Sequence, residues 1–148
     1  MDMTETARRV LIVANRTAAT EKLLDAVRQR AQAGPATFHL LVPATPHGLH
    51  RVVDPEDQDR GEAAEVVELA VPVLEEAVGG HVDSLIGDPN PMNAVQDAVN
   101  LHGFDEIIIS TLPAKVSRWL KLDLPSKVGG LGLPVTTVTA KERAITPA

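Results

Sequence analysis

The chain has 148 residues, the length of one domain with a conventional hydrophobic core. It contains no cysteine, which excludes disulfide frameworks and cysteine-based zinc sites and suits a cytoplasmic protein. A formal net charge of −6, with two Phe, one Trp and no Tyr, argues against binding nucleic acids or anionic membranes. No apolar run approaches the roughly 20 residues of a membrane-spanning helix.

Short apolar runs alternate with segments of helical periodicity along the chain. The runs at residues 10–14, 38–42, 81–86, 107–110 and 133–139 are interpreted as strands. Helices are predicted at residues 20–33, 61–78, 91–101 and 117–131. We expect Pro72 to kink or split the second helix and Pro125 to interrupt the fourth. The polar residues 44–60 are predicted to form a surface loop.

Strands that alternate with helices predict an α/β fold, a doubly wound and mostly parallel five-stranded sheet with helices on both faces. Right-handed crossovers favour the strand order 3-2-1-4-5, with the first and fourth strands adjacent at the centre. We place the domain at residues 9–140, between a flexible N-terminus (1–8) and a flexible C-terminal tail (141–148). The last strand would then be an exposed Val/Thr edge, which predicts a homodimer formed through it.

The first and fourth strands mark the point where the strand order reverses, and ligands bind beyond the carboxyl ends of strands at such a point. Asn15-Arg16-Thr17 follow the first strand, and Ser110-Thr111 end the fourth. These two segments are therefore predicted to face each other across one crevice. Alternatively, the two hydroxyls of Ser110 and Thr111 only satisfy the backbone of the loops.

A short basic segment follows the fourth strand. Lys115, Arg118 and Lys121 recur every third residue, which predicts a basic row on one side of a helix capped by Ser117. Trp119 and Leu122 would then face the core. The row is a candidate site for a phosphate or a carboxylate, and its alternative is an ordinary solvated helix face.

Other polar clusters are weaker candidates. The acidic residues between Asp54 and Asp59 lack the Gly and the closing Glu of a calcium loop, so a solvated loop is expected. None of the five histidines has the spacing of a metal site, and no catalytic residue is predicted. Gly129-Gly130-Leu131-Gly132 follows a helix, which favours a helix C-cap over a phosphate loop.

Four segments in this order resemble the universal stress protein family, in an actinobacterial-type form with a degenerate ATP motif. They are Val10 to Asn15, Gly87-Asp88-Pro89 with Ala94-Val95, Asp105 to Ser110, and Leu133 to Val138. The resemblance covers residues 9–139 and implies a nucleotide-binding α/β fold of the adenine nucleotide alpha hydrolase type, a role in the stress response, and dimers formed through the last strand.

ATP-binding members of that family carry Gly-x-x-Gly, nine residues, and then Gly-Ser or Gly-Thr after the fourth strand. Ser110, Pro113 and Asp123 occupy the three glycine positions here, so a Cβ obstructs the approach of backbone N–H groups to phosphates. Asn15 matches the acidic residue after the first strand and keeps hydrogen-bonding capacity for a ribose. The resemblance therefore implies weak ATP binding or none.

Together these observations predict a non-catalytic, stress-protein-like module that acts as a dimer and binds a small ligand, either a nucleotide (ATP or AMP, weakly) or another small anion. The predicted ligand-binding residues are Asn15, Arg16, Thr17, Val42, Gly87, Ser110, Thr111, Lys115, Ser117 and Arg118. Two alternatives remain open: an enzyme acting on a phosphorylated or adenylylated small molecule, and an interaction module without a ligand.

Overall fold

The computed structural model describes residues 7–15, 17–44, 55–112 and 117–140, and for residues 55–61 it describes the backbone alone. The predicted N-terminal segment and C-terminal tail fall largely outside this range. The elements in chain order are β1 (Arg8–Val13), α1 (Glu21–Ala33), β2 (Ala36–Pro43), α2 (Pro55–Val78), β3 (Val82–Gly87), α3 (Pro91–His102), β4 (Glu106–Thr111), α4 (Arg118–Lys121), α5 (Leu124–Gly129) and β5 (Val135–Thr139). Within the described ranges no helix is both long and apolar enough to cross a membrane.

The five strands form one sheet in the order β3-β2-β1-β4-β5, and every neighbouring pair is parallel. This confirms the predicted fold class and strand order. β1 lies between β2 and β4, with Val13 opposite Leu41 on one side and Ile109 on the other. Strands in this position have helices over both faces, which explains why β1 and β4 are apolar without alternation.

The two faces of the sheet are covered by different helices. Alternate residues of β1, such as Val10 and Ile12, belong to a core cluster with α1 and α2, where Leu24 and Leu74 are buried. Leu11 and Val13 point to the opposite face and belong to a cluster with α3 and α5. Each fully buried aliphatic side chain contributes roughly 1.5–3 kcal/mol to folding. This double packing fixes where β1 and β4 end, and therefore where the predicted crevice lies.

Helix α2 differs from the prediction at its start and at Pro72. It begins at Pro55, so residues 55–60 are helical and the predicted loop is too long. The helix starts this early because its first residues are Pro55-Glu56-Asp57, and proline and acidic side chains are favoured in the first turn of a helix. α2 is one continuous helix with Pro72 inside it, so the alternative that Pro72 splits the helix is wrong. Burial of Ala70 and Leu74 against the sheet offsets the roughly 3 kcal/mol that an internal proline costs.

The segment between β4 and β5 contains two short helices instead of one long one. Pro125 lies in the first turn of α5, so it separates α5 from α4 as predicted. The glycine run ends α5 as predicted, since Gly129 is its last residue and Gly130 is its C-cap. Trp119 packs against the core cluster on this face. Leu122 is 46% exposed, so its predicted position in the core is wrong.

Candidate functional site

The carboxyl ends of β1 and β4 meet at the same edge of the sheet because the two strands are adjacent and parallel. β1 is followed by a tight double turn before α1. In it, the Ala18 N–H donates to the Asn15 carbonyl at 3.1 Å, and the Thr20 N–H donates to the Thr17 carbonyl at 3.2 Å. The first turn leaves Asn15 exposed and turns Thr17 back into the protein. The strand order reverses at this point, where a ligand crevice is expected.

Thr17 and Ser110 join the two strand ends directly. The Ser110 hydroxyl donates to Thr17 Oγ1 at 2.7 Å, and the Thr17 hydroxyl donates to the Ser110 carbonyl at 3.1 Å. Both residues are at most 2% exposed. Each hydroxyl thus uses its donor within the protein, and both side chains are too deeply buried for a ligand to reach them. These two side chains therefore hold the ends of β1 and β4 together, and a ligand at the predicted crevice would contact the surrounding backbone and side chains instead.

Two further predicted hydroxyls are also used within the protein. Thr111 Oγ1 lies 3.4 Å from Thr139 Oγ1 on β5, and the Thr111 carbonyl accepts from the Ala140 N–H at 2.8 Å. Ser117 Oγ accepts the Leu120 N–H at 3.0 Å and so caps α4, as predicted. Thr111 and Ser117 are both buried, and the chain between them connects β4 to α4.

The predicted residues at the ends of β2 and β3 have a packing role. Val42 is buried in the core cluster beneath α2, so it can offer a ligand only its backbone. A Cβ on Gly87 would lie 2.8 Å from Ala94 Cβ and 3.0 Å from Leu41 Cδ1. Contacts under 3.0 Å do not occur for real Cβ atoms, so a glycine is needed here for α3 to approach the sheet. The Gly87 carbonyl also accepts the Ala44 N–H at 2.9 Å, which extends the sheet by one bond.

The predicted basic row does not lie on one helix. α4 spans only Arg118–Lys121 behind its Ser117 cap, so Lys115 precedes the helix. The helix begins here because the Ser117 hydroxyl accepts the free N–H of Leu120 and caps the N-terminus of α4. Arg118 and Lys121 are exposed one turn apart. Lys115 and Arg16 lie outside the described residues.

Asp123, at the third glycine position of the resembled motif, has a left-handed backbone with φ of 59°. Among the described residues it is the one non-glycine residue with positive φ. Aspartate tolerates this region better than most residues with a Cβ. The backbone at this position therefore keeps a conformation that glycine favours, while the side chain adds a negative charge.

In the described part of the chain, no group of three or more His, Asp or Glu side chains is arranged to hold a metal ion. The acidic residues 54–59 are helical from Pro55 onward, and their side chains are outside the described set, as are His47 and His50. The eight described candidate residues supply hydroxyls, an amide and a guanidinium, without a general acid paired to a base. This chemistry suits binding of a small polar ligand.

A cavity that sequence reasoning missed lies at the opposite, amino end of the sheet. It has a volume of about 480 Å³ and lies between the C-terminal ends of α1 and α2, with Pro35, Phe38, Gly79, His81 and Asp83 among its lining residues. Its sequence signal is the pair of helix terminators Gly34-Pro35 and Gly79-Gly80, which follow the ends of α1 and α2 and precede β2 and β3.

No protein-family model matches the sequence, and no curated protein matches it. Solved structures do match. A universal stress protein from Archaeoglobus fulgidus in complex with dAMP superposes with a TM-score of 0.62 at 16% identity, covering 90% of this chain and 98% of that one. A universal stress protein in complex with cAMP gives 0.59 at 16% identity, with the same coverage. An Arabidopsis thaliana protein of this family with AMP bound gives 0.57 at 10% identity, covering 90% and 92%.

These similarities extend over nearly the whole of both chains. The chain therefore has the fold of universal stress proteins, and the resemblance read from the sequence is confirmed at the level of the fold.

Proposed function

We propose that this chain is a non-catalytic, universal-stress-protein-like module of the cytoplasm that binds a small anionic ligand, a nucleoside monophosphate above all, and acts as a homodimer. The main support is the geometry at the carboxyl ends of β1 and β4. Thr17 and Ser110 hold these ends together by two buried hydrogen bonds. Asn15 is exposed and begins the turn that follows β1. Solved structures of proteins with this fold include complexes with AMP, dAMP and cAMP.

A monophosphate suits this chain better than a triphosphate. Ser110, Pro113 and Asp123 replace the three glycines that ATP-binding stress proteins use to bring backbone N–H groups to the phosphates. Pro113 has no N–H to offer, and the Asp123 carboxylate would repel a phosphate chain. Asn15 can still hydrogen-bond a ribose hydroxyl, and Arg118 can meet a single phosphate through a charge-assisted hydrogen bond.

Calorimetry with AMP, and with ATP plus magnesium, tests the ligand. We expect AMP to bind and ATP to bind more weakly or not at all. Arg118→Glu should weaken AMP binding by roughly 1.5–3 kcal/mol, about 10-fold to 150-fold. Arg28→Glu, an exposed arginine on α1 that pairs with Asp25, makes the same change in net charge and should leave AMP affinity unchanged. Tight, magnesium-dependent ATP binding would contradict the proposal.

Two other functions give different results in the same experiment. An interaction module without a ligand would bind neither nucleotide, and a native mass spectrum of the purified protein would show no bound small molecule. An enzyme acting on a phosphorylated or adenylylated compound would convert its ligand during the titration, so the products would appear in the calorimeter cell. The lack of an acid–base pair among the described crevice residues favours the binding module.

The dimer is proposed to form through β5. In the described sheet β5 pairs with β4 alone, so its other edge is open to a second chain. Thr136 and Thr137 on this edge are exposed. Light scattering over a micromolar dilution series should show a dimer, and Thr136→Lys should weaken it. Ser84→Lys, at an exposed position of the opposite edge strand β3, is the matched control and should not. A monomeric wild-type protein would rule the dimer out.

A further inference from the structure

A chain of alternating carboxylates and imidazoles runs across the amino end of the sheet, away from the proposed ligand site. It begins at Glu75 in the last turn of α2 and passes through His81, just before β3, to Asp83 within β3. The two nitrogens of His81 lie 3.2 Å from Glu75 Oε2 and 2.6 Å from Asp83 Oδ1. The other oxygen of Asp83 lies 3.3 Å from Nε2 of His39 on β2. Three elements, α2, β3 and β2, are thereby connected.

The position of His81 between two carboxylates favours the charged form of its ring. A neutral imidazole has one N–H and can donate to only one of the two carboxylates, whereas an imidazolium donates to both. Glu75 Oε2 also accepts the backbone N–H of Val82, the first residue of β3, at 3.0 Å. The proton on His81 therefore orients the carboxylate that holds the start of β3. The hydrogen bond with Asp83, followed by the charges of Asp83 and Glu75, raises the pKa of His81.

His39 is suited to the opposite protonation state. Its Nδ1 is buried and, among the described residues, has no hydrogen-bond partner. Its ring packs edge-on against Phe104 with the centroids 5.1 Å apart. A proton on Nδ1 would place an unsatisfied N–H in this apolar contact. Burial lowers the pKa of His39, and the nearby charges of Arg9, His102 and His81 lower it further against the attraction of Asp83. The surroundings of His39 thus favour a neutral ring, whose Nε2 lies 3.3 Å from Asp83 Oδ2.

We propose that Glu75, His81, Asp83 and His39 form a pH-dependent latch that fastens the start of strand β3 to α2 and β2. β3 is an edge strand with β2 as its neighbour in the described sheet, so few other bonds hold its outer side. Within the latch, the groups that act on the two histidines are Glu75 from α2 and Asp83 from β3. Two further charged or titratable groups face His39 from outside the latch, Arg9 on β1 and His102 on α3.

Each histidine of the latch has a definite direction with pH. Because the folded-state pKa of His81 is raised, its contribution is complete below the ordinary value near 6.5 and is lost as the pH rises through the raised value. The lowered pKa of His39 acts in the opposite sense, because its contribution is complete above 6.5 and is lost as the pH falls through the lowered value. The two histidines therefore act in opposite directions, and the contacts that depend on His81, including the orientation of Glu75 toward Val82, loosen on the alkaline side.

Amide hydrogen exchange tests this opening directly. The protection factor of the Val82 amide, corrected for intrinsic exchange, should fall by about fivefold between roughly pH 6 and pH 8.5, the scale of an exposed ion pair. The Ala44 amide, which donates to Gly87 at the other end of β3, has no titratable partner and should show no such change. The imidazole resonances of His81, followed by NMR in the same samples, should titrate over the same pH range.

Two substitutions separate the charge of His81 from its packing. His81→Gln removes the charge, so Val82 should be weakly protected at every pH. His81→Lys keeps a positive charge throughout this range, so Val82 should stay protected at pH 8.5. Arg28→Gln, which removes an exposed positive charge paired with Asp25 on α1, should keep the wild-type profile. A flat Val82 profile in the wild type while His81 titrates, or a pH dependence that persists in His81→Gln, would overturn the proposal.

Discussion

Thr17 and Ser110 share two buried hydrogen bonds, but the Thr17 hydroxyl takes part in both of them and the Ser110 hydroxyl in only one, so removing each hydroxyl should cost a different free energy. Thr17→Val keeps the side-chain volume but removes both bonds, at 2.7 and 3.1 Å. The Ser110 hydroxyl is then left with only the Thr17 carbonyl at 3.5 Å, too far for a good bond. At about 1 kcal/mol for each lost bond plus part of the cost of an unsatisfied hydroxyl, Thr17→Val should cost about 2–3 kcal/mol.

Ser110→Ala removes only the 2.7 Å bond, because the Thr17 hydroxyl still donates to the Ser110 carbonyl. It should cost about 1 kcal/mol. The double variant loses the same two bonds as Thr17→Val and leaves no orphaned hydroxyl, so it should be no less stable than Thr17→Val alone. The coupling energy is then about 1 kcal/mol or more.

Urea denaturation of the four proteins in this cycle measures these free energies, with Thr17→Ser as the control that keeps the hydroxyl. Equal costs for the two single variants, or strictly additive costs in the double variant, would refute the assignment of donors and acceptors. AMP affinity, measured on the folded variants, should change less than in Arg118→Glu, because both hydroxyls are buried and bonded within the protein.

Three further predictions concern packing, charge and backbone conformation. Gly87→Ala should lower the free energy of unfolding by about 1–3 kcal/mol, because the added Cβ overpacks the contact with Ala94. Gly80→Ala, where a Cβ meets no atom within 4 Å, should change it by less than about 0.5 kcal/mol, and thermal unfolding distinguishes the two variants. Hydrogen bonding to Arg30, together with Arg8, lowers the pKa of Glu106, so its contribution to stability is present above pH 4.5 and lost as the pH falls through the lowered value. Glu106→Gln should therefore flatten the acid side of a stability profile between pH 3 and 6, and an unchanged profile would contradict the pairing. Asp123→Gly should leave the stability in urea nearly unchanged, because relief of the left-handed backbone offsets the greater entropy of the unfolded chain. Asp123→Val should cost about 1–2 kcal/mol, because a β-branched residue is strained in this conformation. Equal stability of the two variants would contradict the left-handed backbone at this position.

The sequence predicted the sheet well because its signal is local and strong. Ile107-Ile108-Ile109 and Val10 to Val13 are apolar at every position, a pattern typical of short strands covered on both faces. The start of α2 was missed for a related reason. Its signals, Pro55 and the acids after it, are polar, and polar residues next to a proline are just as typical of a loop.

The site was harder to predict than the fold because the sequence shows where a hydroxyl lies and not what it bonds. Ser110 and Thr17 are 93 residues apart, and only the pairing of β1 with β4 brings them within 2.7 Å. The basic row failed for a different reason. A spacing of three residues predicts one helical side only if the helix covers all three, and the Ser117 cap starts α4 after Lys115.

The three replaced glycines of the resembled ATP motif have different physical consequences in this chain. Ser110 fills the space that a glycine would leave open and uses its hydroxyl to tie β4 to the turn after β1. Pro113 removes a backbone donor. Asp123 retains a left-handed backbone and adds a negative charge. Restoring only Asp123→Gly would thus remove a repulsion without supplying a donor or opening the strand ends. Triphosphate affinity should consequently recover only when Ser110 and Pro113 are replaced by glycine as well, at the cost of the bond to Thr17.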